Sequence, residues 1–299
     1  MQDKAVSLMQ SVPTTSRIQE YVLLTKFRLS SLVVFSAAMG FIIASGPGFS
    51  WSQLLLLTLG GFLVTGSSNG FNQVIEKDLD KIMDRTAERP LPSGRLSVQE
   101  AMAVSMLMGI SGVLILWFTI NPLSGFLSLF SLFIYTLIYT PAKKFTPFAV
   151  LIGAIPGAVP PLLGWVAAKN EIGLEALLLY AIQFIWQFPH FWAIAWVLHD
   201  DYLKAGFRML PSAGGRNRMS AFQTLAYSIC LIPLGMLPYF FGFVSIYTSL
   251  IIILSGLLFT APAFYLYRDC DMRSAQKLMF ASFIYLPLIQ LAWMIDKLF

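Results

Sequence analysis

Residues 72–94 read NQVIEKDLDKIMDRTAERPLPSG and open where a long apolar run closes. Four acidic side chains, Glu76, Asp78, Asp80 and Asp84, crowd into nine residues of a chain that is only 12% charged. An apolar run of spanning length that ends in charge places those carboxylates at the mouth of a membrane helix. A regular α-helix turns about 100° per residue, so Asn72, Glu76 and Asp80 drift about 40° per step and share one face. Asp78 points nearly opposite to Asp80. An amide and two carboxylates on one face suit Mg²⁺, which takes few protein oxygens and keeps its other positions for water and phosphate. Lys77, Lys81, Arg85, Arg89 and Arg95 run through the same stretch and offer donors to phosphate oxygens. A solvated loop of mixed charge is the plainer account of such a segment. The i, i+4, i+8 phasing, which starts inside the apolar run, favours a site.

The rest of the chain sets the class. Hydrophobic residues make up 57% of the 299, the mean hydropathy is +0.71, and several apolar runs approach 20 residues. That composition means an all-α, polytopic membrane protein. No long polar linker divides it, so residues 1–299 are expected to form one domain, with residues 1–26 as a cytoplasmic N-terminal segment. The N-terminus lacks the apolar core and small-residue cleavage site of a signal peptide. The formal charge of +5 does not indicate nucleic acid here, because it resides in the connecting loops. Cys230 and Cys270 give no disulfide framework.

Nine spans are expected, at roughly 27–46, 52–75, 98–119, 123–140, 146–167, 173–197, 220–241, 244–266 and 275–296. Ser50 with Gln53 and Ser97 with Glu100 have capping-box spacing at the starts of spans 2 and 3. Pro122, Pro141 and Pro147 punctuate neighbouring ends. Of the 20 Lys and Arg, 18 fall in the N-terminal segment and in the loops after spans 2, 4, 6 and 8. Lys169 and Lys297 are the exceptions. The positive-inside rule then puts the N-terminus and those loops in the cytoplasm and the C-terminus outside.

The loops after spans 2 and 6 are the longest, about 22 residues each. Both sit on the predicted cytoplasmic side, where function concentrates in a tight bundle. The second opens with Asp200 and Asp201 and continues with Lys204 and Arg208. Two acidic helix ends followed by basic loops would hold a diphosphate between them. Within span 6, Gln183, Gln187 and His190 lie at i, i+4 and i+7, and Asp201 returns to within about 20° of His190 if the helix runs on. Polar groups at such depth are costly and face a cavity or a partner helix. Trp186, Pro189, Phe191 and Trp192 surround His190 with the makings of an aromatic wall. Tyr139–Lys144 (YTPAKK) ends span 4 with two lysines, which the positive-inside rule alone would explain. Residues 156–165, PGAVPPLLGW, put three prolines into span 5, so that helix is expected to kink or unwind.

Taken together, these motifs resemble the UbiA superfamily of intramembrane prenyltransferases, over residues 25 to 295 or so. The resemblance rests on Asn72-x-x-x-Glu76-x-Asp78-x-Asp80 with Met83-Asp84-Arg85-Thr86 and Arg89-Pro90-Leu91. The Trp186–His190 run, residues 201–206 and 209–211, YTPAKK and GAVPPLLGW point to the heme-specific branch. Glu76 stands where many members carry Asp. Leu198 and Tyr202 stand where the quinone-type enzymes carry further carboxylates.

The resemblance implies nine transmembrane helices around a central cavity in a bacterial-type inner membrane. It also implies Mg²⁺-dependent transfer of farnesyl from farnesyl diphosphate to a vinyl of heme b, with water added, giving heme O. Asn72, Glu76, Asp80 and Asp201 would hold Mg²⁺, and Arg85, Arg89, Lys143 and Lys204 the diphosphate. His190, with Gln187 and Trp186, would contact the heme as an iron ligand or through a propionate. The implied partners are the two substrates, the bilayer and a downstream heme-modifying enzyme, with no nucleic acid. Prenylation of a quinone-type ring is the alternative chemistry. A membrane heme or lipid transporter is the alternative class, which would leave the phased carboxylates without a purpose.

Overall fold

The computed structural model describes residues 16–299. Among them, nine helices are long and apolar enough to cross a membrane. They are Phe27–Gly48, Trp51–Ile75, Val98–Ile120, Pro122–Ala142, Ala149–Lys169, Leu174–Val197, Arg218–Phe240, Ile246–Asp269 and Met272–Leu298, taken as spans 1 to 9. The N-terminal residues 1–15 of the expected cytoplasmic segment lie outside the described residues. A short helix, Arg17–Leu24, precedes span 1, and Arg95 ties it to the loop after span 2 through Glu20 at 2.8 Å. Ser50 and Ser97 do cap spans 2 and 3, accepting from the backbone of Gln53 and Glu100.

Consecutive spans pack side by side, and span 9 returns to span 1, which closes the bundle. Span 5 runs through its middle: 78% of its apolar window is buried, against 22% for the peripheral span 3. Spans 1 and 5 approach at backbone distance. A Cβ on Gly164 would stand 1.9 Å from the Ala37 carbonyl oxygen, and one on Gly40 2.1 Å from that of Pro161. Without a strong hydrophobic drive between helices in lipid, such small-residue contacts supply the packing.

Span 5 does not unwind at its prolines; Ala149–Lys169 is one helix with Pro156, Pro160 and Pro161 inside it. Span 6 supplies the physical reason. Pro161 lacks the N–H that would reach the Gly157 carbonyl, and Gln183 Nε2 donates to that oxygen at 2.8 Å instead. Gln187 Nε2 donates to the Ala154 carbonyl at 3.0 Å. Gln183 thus repairs the gap that Pro161 leaves, and Gln187 adds a second tie between spans 6 and 5. Gln183 also accepts from Ser36 at 2.7 Å and from Gln290 at 3.1 Å, which joins spans 1, 6 and 9.

Candidate active site

Span 2 ends one residue before Glu76, whose backbone (φ −96°, ψ 6°) interrupts the helix, and a single turn, Lys77–Asp80, follows. The regular helix assumed from the spacing is therefore broken at Glu76. The facing survives, because the Asp80 N–H still reaches the Glu76 carbonyl at 2.7 Å. Asp80 is fully buried (0%), whereas the Asp78 side chain is 92% exposed. Glu76 and Asp80 are not the solvated rim carboxylates that a loop would carry. The surrounding loop folds over them: Thr86 Oγ1 donates to the Asp80 carbonyl at 2.8 Å, and Met83, Leu91 and Leu96 of the same loop are buried.

Around this turn the chain assembles a charged cluster. Asn72 Nδ2 donates to Glu76 Oε2 at 2.9 Å and approaches Thr140 Oγ1 at 3.4 Å. Lys143 forms an ion pair with Glu76. Arg89 NH1 binds Asp80 Oδ2 at 2.7 Å. A stretch of π-helix, Ile134–Tyr139, lies just before the last turn of span 4, Thr140–Ala142. Lys143 follows that stretch and its ammonium sits over the rings of Tyr139 (5.0 Å) and Phe207 (5.7 Å). Burial pushes the Lys143 amine below its ordinary value, and Glu76 partly offsets this.

A third cation, which the sequence analysis did not single out, joins the cluster. Lys26 Nζ donates to Asn72 Oδ1 at 3.2 Å. Its backbone is left-handed (φ +48°), a strained conformation for a residue with a Cβ. Span 2 holds that turn in place: Gln73 donates to the carbonyls of Leu23 and Leu24, and Asn69 to Ser30. Protein crowds the amine although part of the side chain stays reachable. Burial lowers it to about 7, with Arg89 and Lys143 adding to the effect and Glu76 and Asp80 opposing it. A lysine before span 1 reads as an ordinary positive-inside residue, so nothing local marks it.

The second acidic end is built differently. Span 6 breaks at Leu198 (φ −98°, ψ 16°), so Asp201 does not continue the His190 face. Its carboxylate accepts from the backbone N–H of Asp84 at 2.8 Å and of Arg85 at 3.3 Å, stapling the loop after span 2 to that after span 6. Burial alone would raise the Asp201 carboxyl; those N–H groups, with Lys204 and Arg85, more than reverse this and hold it low. Lys204 bridges Asp84 at 2.5 Å and Asp201 at 3.6 Å. Arg85 lies over the Tyr202 ring at 6.0 Å. Asp200 turns away to Arg216 (2.8 Å), and Arg95 is committed to Glu20 and the Glu88 carbonyl. Asp201 and Lys204 therefore touch the 84–85 turn, Asp201 through its backbone N–H groups and Lys204 through the Asp84 carboxylate, rather than Asn72, Glu76 or Asp80.

The donor set fits a hard cation that brings part of its own shell. Among the described residues, no three His, Cys, Asp or Glu groups gather as a closed metal centre would require. Asp80 Oδ1 is buried with no hydrogen-bond partner among the described residues, which is a carboxylate oxygen ready for a cation. Two carboxylates with an amide, in contact with the three basic side chains Lys26, Arg89 and Lys143, match Mg²⁺ carried on phosphate rather than caged by protein.

Deeper in the bundle, His190 stacks on Trp186 (centroids 4.5 Å apart) and bonds Ser282 of span 9 through Nδ1 at 2.7 Å. Trp192 does not join that wall, because it packs on Phe188 and on Tyr227 of span 7. Gln187 points to span 5 rather than to His190's partners.

Comparison with known proteins adds lineage to this geometry. The model of the UbiA prenyltransferase family matches residues 33–286. A protoheme IX farnesyltransferase of Cytophaga hutchinsonii is 49% identical over 286 residues, covering 95% of this chain and 99% of the relative. The protoheme IX farnesyltransferase of Flavobacterium johnsoniae is 44% identical, over 92% of this chain and 93% of the relative. Among solved structures, a digeranylgeranylglyceryl phosphate synthase superposes with TM-score 0.78 at 20% identity, covering 94% of this chain and 98% of that one. A UbiA homolog from Archaeoglobus fulgidus bound to GPP and Mg²⁺ gives 0.70 at 18% identity, covering 92% and 99%.

Proposed function

Because this multi-pass chain belongs to the UbiA prenyltransferase family, we propose that it transfers farnesyl from farnesyl diphosphate to a vinyl group of heme b, giving heme O. The observation that carries the proposal is full-length similarity, up to 49%, to relatives named protoheme IX farnesyltransferase. The buried Asn72–Glu76–Asp80 cluster with its three contacting cations, Lys26, Arg89 and Lys143, supports it as a place for a diphosphate.

Asn72, Glu76 and Asp80 would hold Mg²⁺, directly or through water. Bound there, the ion neutralises charge that develops on the diphosphate. Lys143, Arg89, Lys26 and Arg85 would stabilise the same oxygens as the farnesyl C1–O bond breaks. Asp201 and Lys204 act through the loop, fixing the turn that carries Arg85. The buried rings of Tyr139 and Phe207 flank Lys143 and would give the allylic cation left by the departing diphosphate an apolar border. The terminal vinyl carbon of heme then bonds to C1. Water adds to the inner vinyl carbon and releases a proton. His190 would meet the heme, with Trp186 stacked beside it. The loops after spans 2 and 6 would face the cytoplasm of a bacterial inner membrane, and a heme-modifying enzyme would take the product.

The test is direct. Purified protein in nanodiscs is given heme b and farnesyl diphosphate with Mg²⁺ or with EDTA, and the hemes are extracted for mass spectrometry. A hydroxyethylfarnesyl heme that forms only with Mg²⁺ is the expected product. An unmodified heme pool beside a prenylated quinone precursor would refute the assignment.

A further inference from the structure

His190 and Ser282 fix something that neither the fold nor the family likeness states, namely which nitrogen of the imidazole is free. Ser282 is completely buried, and its Oγ makes two short contacts, 2.6 Å to the Met279 carbonyl oxygen and 2.7 Å to His190 Nδ1. A serine hydroxyl carries one proton. A carbonyl oxygen accepts only, so that proton goes to Met279. The contact to His190 is then a hydrogen bond only if Nδ1 carries the hydrogen and Ser282 Oγ accepts it. The opposite tautomer would set two lone pairs against each other at one of these distances. In the neutral ring this leaves Nε2 unprotonated, and Nε2 bonds to none of the described residues.

The ring is also clamped. Trp186 stacks on it with 17° between the planes, and the Trp186 indole N–H donates to the Ser282 carbonyl at 3.1 Å. Phe283 and Phe191 meet it edge-on at 5.4 and 5.3 Å. The imidazole cannot flip without breaking the Ser282 bond and the stack, yet the residue stays only half-buried.

We propose that Ser282 is a positioning residue that sets the His190 tautomer, so that Nε2 presents a lone pair to the heme iron. The proposal rests on the heme assignment above. Histidines that bind metal generally donate the other N–H to an outer partner, and losing that partner costs about 10- to 100-fold in metal affinity or activity.

The experiment uses the full chain in nanodiscs, with ferric heme b as probe and the heme spectrum as readout, alongside KM for heme and for farnesyl diphosphate. In Ser282→Ala the nitrogen-ligated signature should weaken, and KM for heme should rise by about 10- to 100-fold. KM for farnesyl diphosphate and the melting temperature should stay at the parent values. Ser282→Thr keeps the hydroxyl and should restore ligation, which a purely packing role would not predict. His190→Ala should lose the signature and regain it with added imidazole. A parent-like Ser282→Ala beside an altered His190→Ala would overturn the role of Ser282 and leave His190 standing. A parent-like His190→Ala would remove both, and an absence of heme binding by the parent would remove the functional assignment itself.

Discussion

Asp80→Asn separates the chemistry of the cluster from its contribution to folding. The substitution keeps the size of a fully buried side chain and removes one charge opposite Arg89, 2.7 Å away. Hydrogen bonds to charged groups contribute about 1.5–3 kcal/mol and neutral ones about 0.5–1.5, and Arg89 keeps an acceptor. The stability loss is then about 1–2 kcal/mol, small against a typical total of about 5–15. The folded fraction hardly changes. Transfer should fall much further, because removing one preorganised group from charge stabilisation costs about 10²–10³ in turnover. The assay is heme prenylation by purified protein, with a melting curve on the same preparation. Asp78→Asn, on a side chain 92% exposed, is the control and should stay close to the parent in both. A folded Asp80→Asn enzyme within about threefold of the parent would refute the role of the cluster, since one lost group should cost far more. An equal loss in Asp78→Asn would refute the facing.

The other predictions address the cations, the proline-rich span and the orientation. Lys26 is charged below about 7 and neutral above it, so use of farnesyl diphosphate should weaken as pH rises through that value. Lys26→Arg stays charged and should flatten the profile; an unchanged profile would remove Lys26 from diphosphate binding. Stability runs the opposite way, because an unfolded lysine keeps its proton to about 10.4 and folding is favoured as pH rises between the two values. Gln183→Leu should cost about 1–3 kcal/mol by leaving the Gly157 carbonyl bare. The loss should shrink in a Pro161→Ala background, where a backbone N–H returns, and an equal loss in both backgrounds would contradict the repair. With Cys230 and Cys270 replaced, cysteines at Ser93 and Ala213 should react with an impermeant reagent only after permeabilisation; labelling in intact cells would reverse the proposed orientation.

The sequence alone determined the membrane class, the nine spans to within a few residues, and the inward facing of Asp80 against Asp78. Hydropathy and the 100° helical step are local properties, so these survive in any tertiary arrangement. The tertiary structure decided which charges meet. Glu76 found Lys143 from span 4, Asp80 found Arg89, and Asp201 spent both oxygens on backbone N–H groups 117 and 116 residues away. Lys26 was invisible because its direction depends on a left-handed turn held by Gln73 and Asn69 of another helix. The Gln183–Gln187 ladder showed in the sequence as a polar face. Only the neighbouring helix, with a carbonyl freed by Pro161, revealed that Gln183 satisfies backbone rather than ligand. Buried polar groups in lipid must find partners, and those partners come from whatever the bundle packs against them.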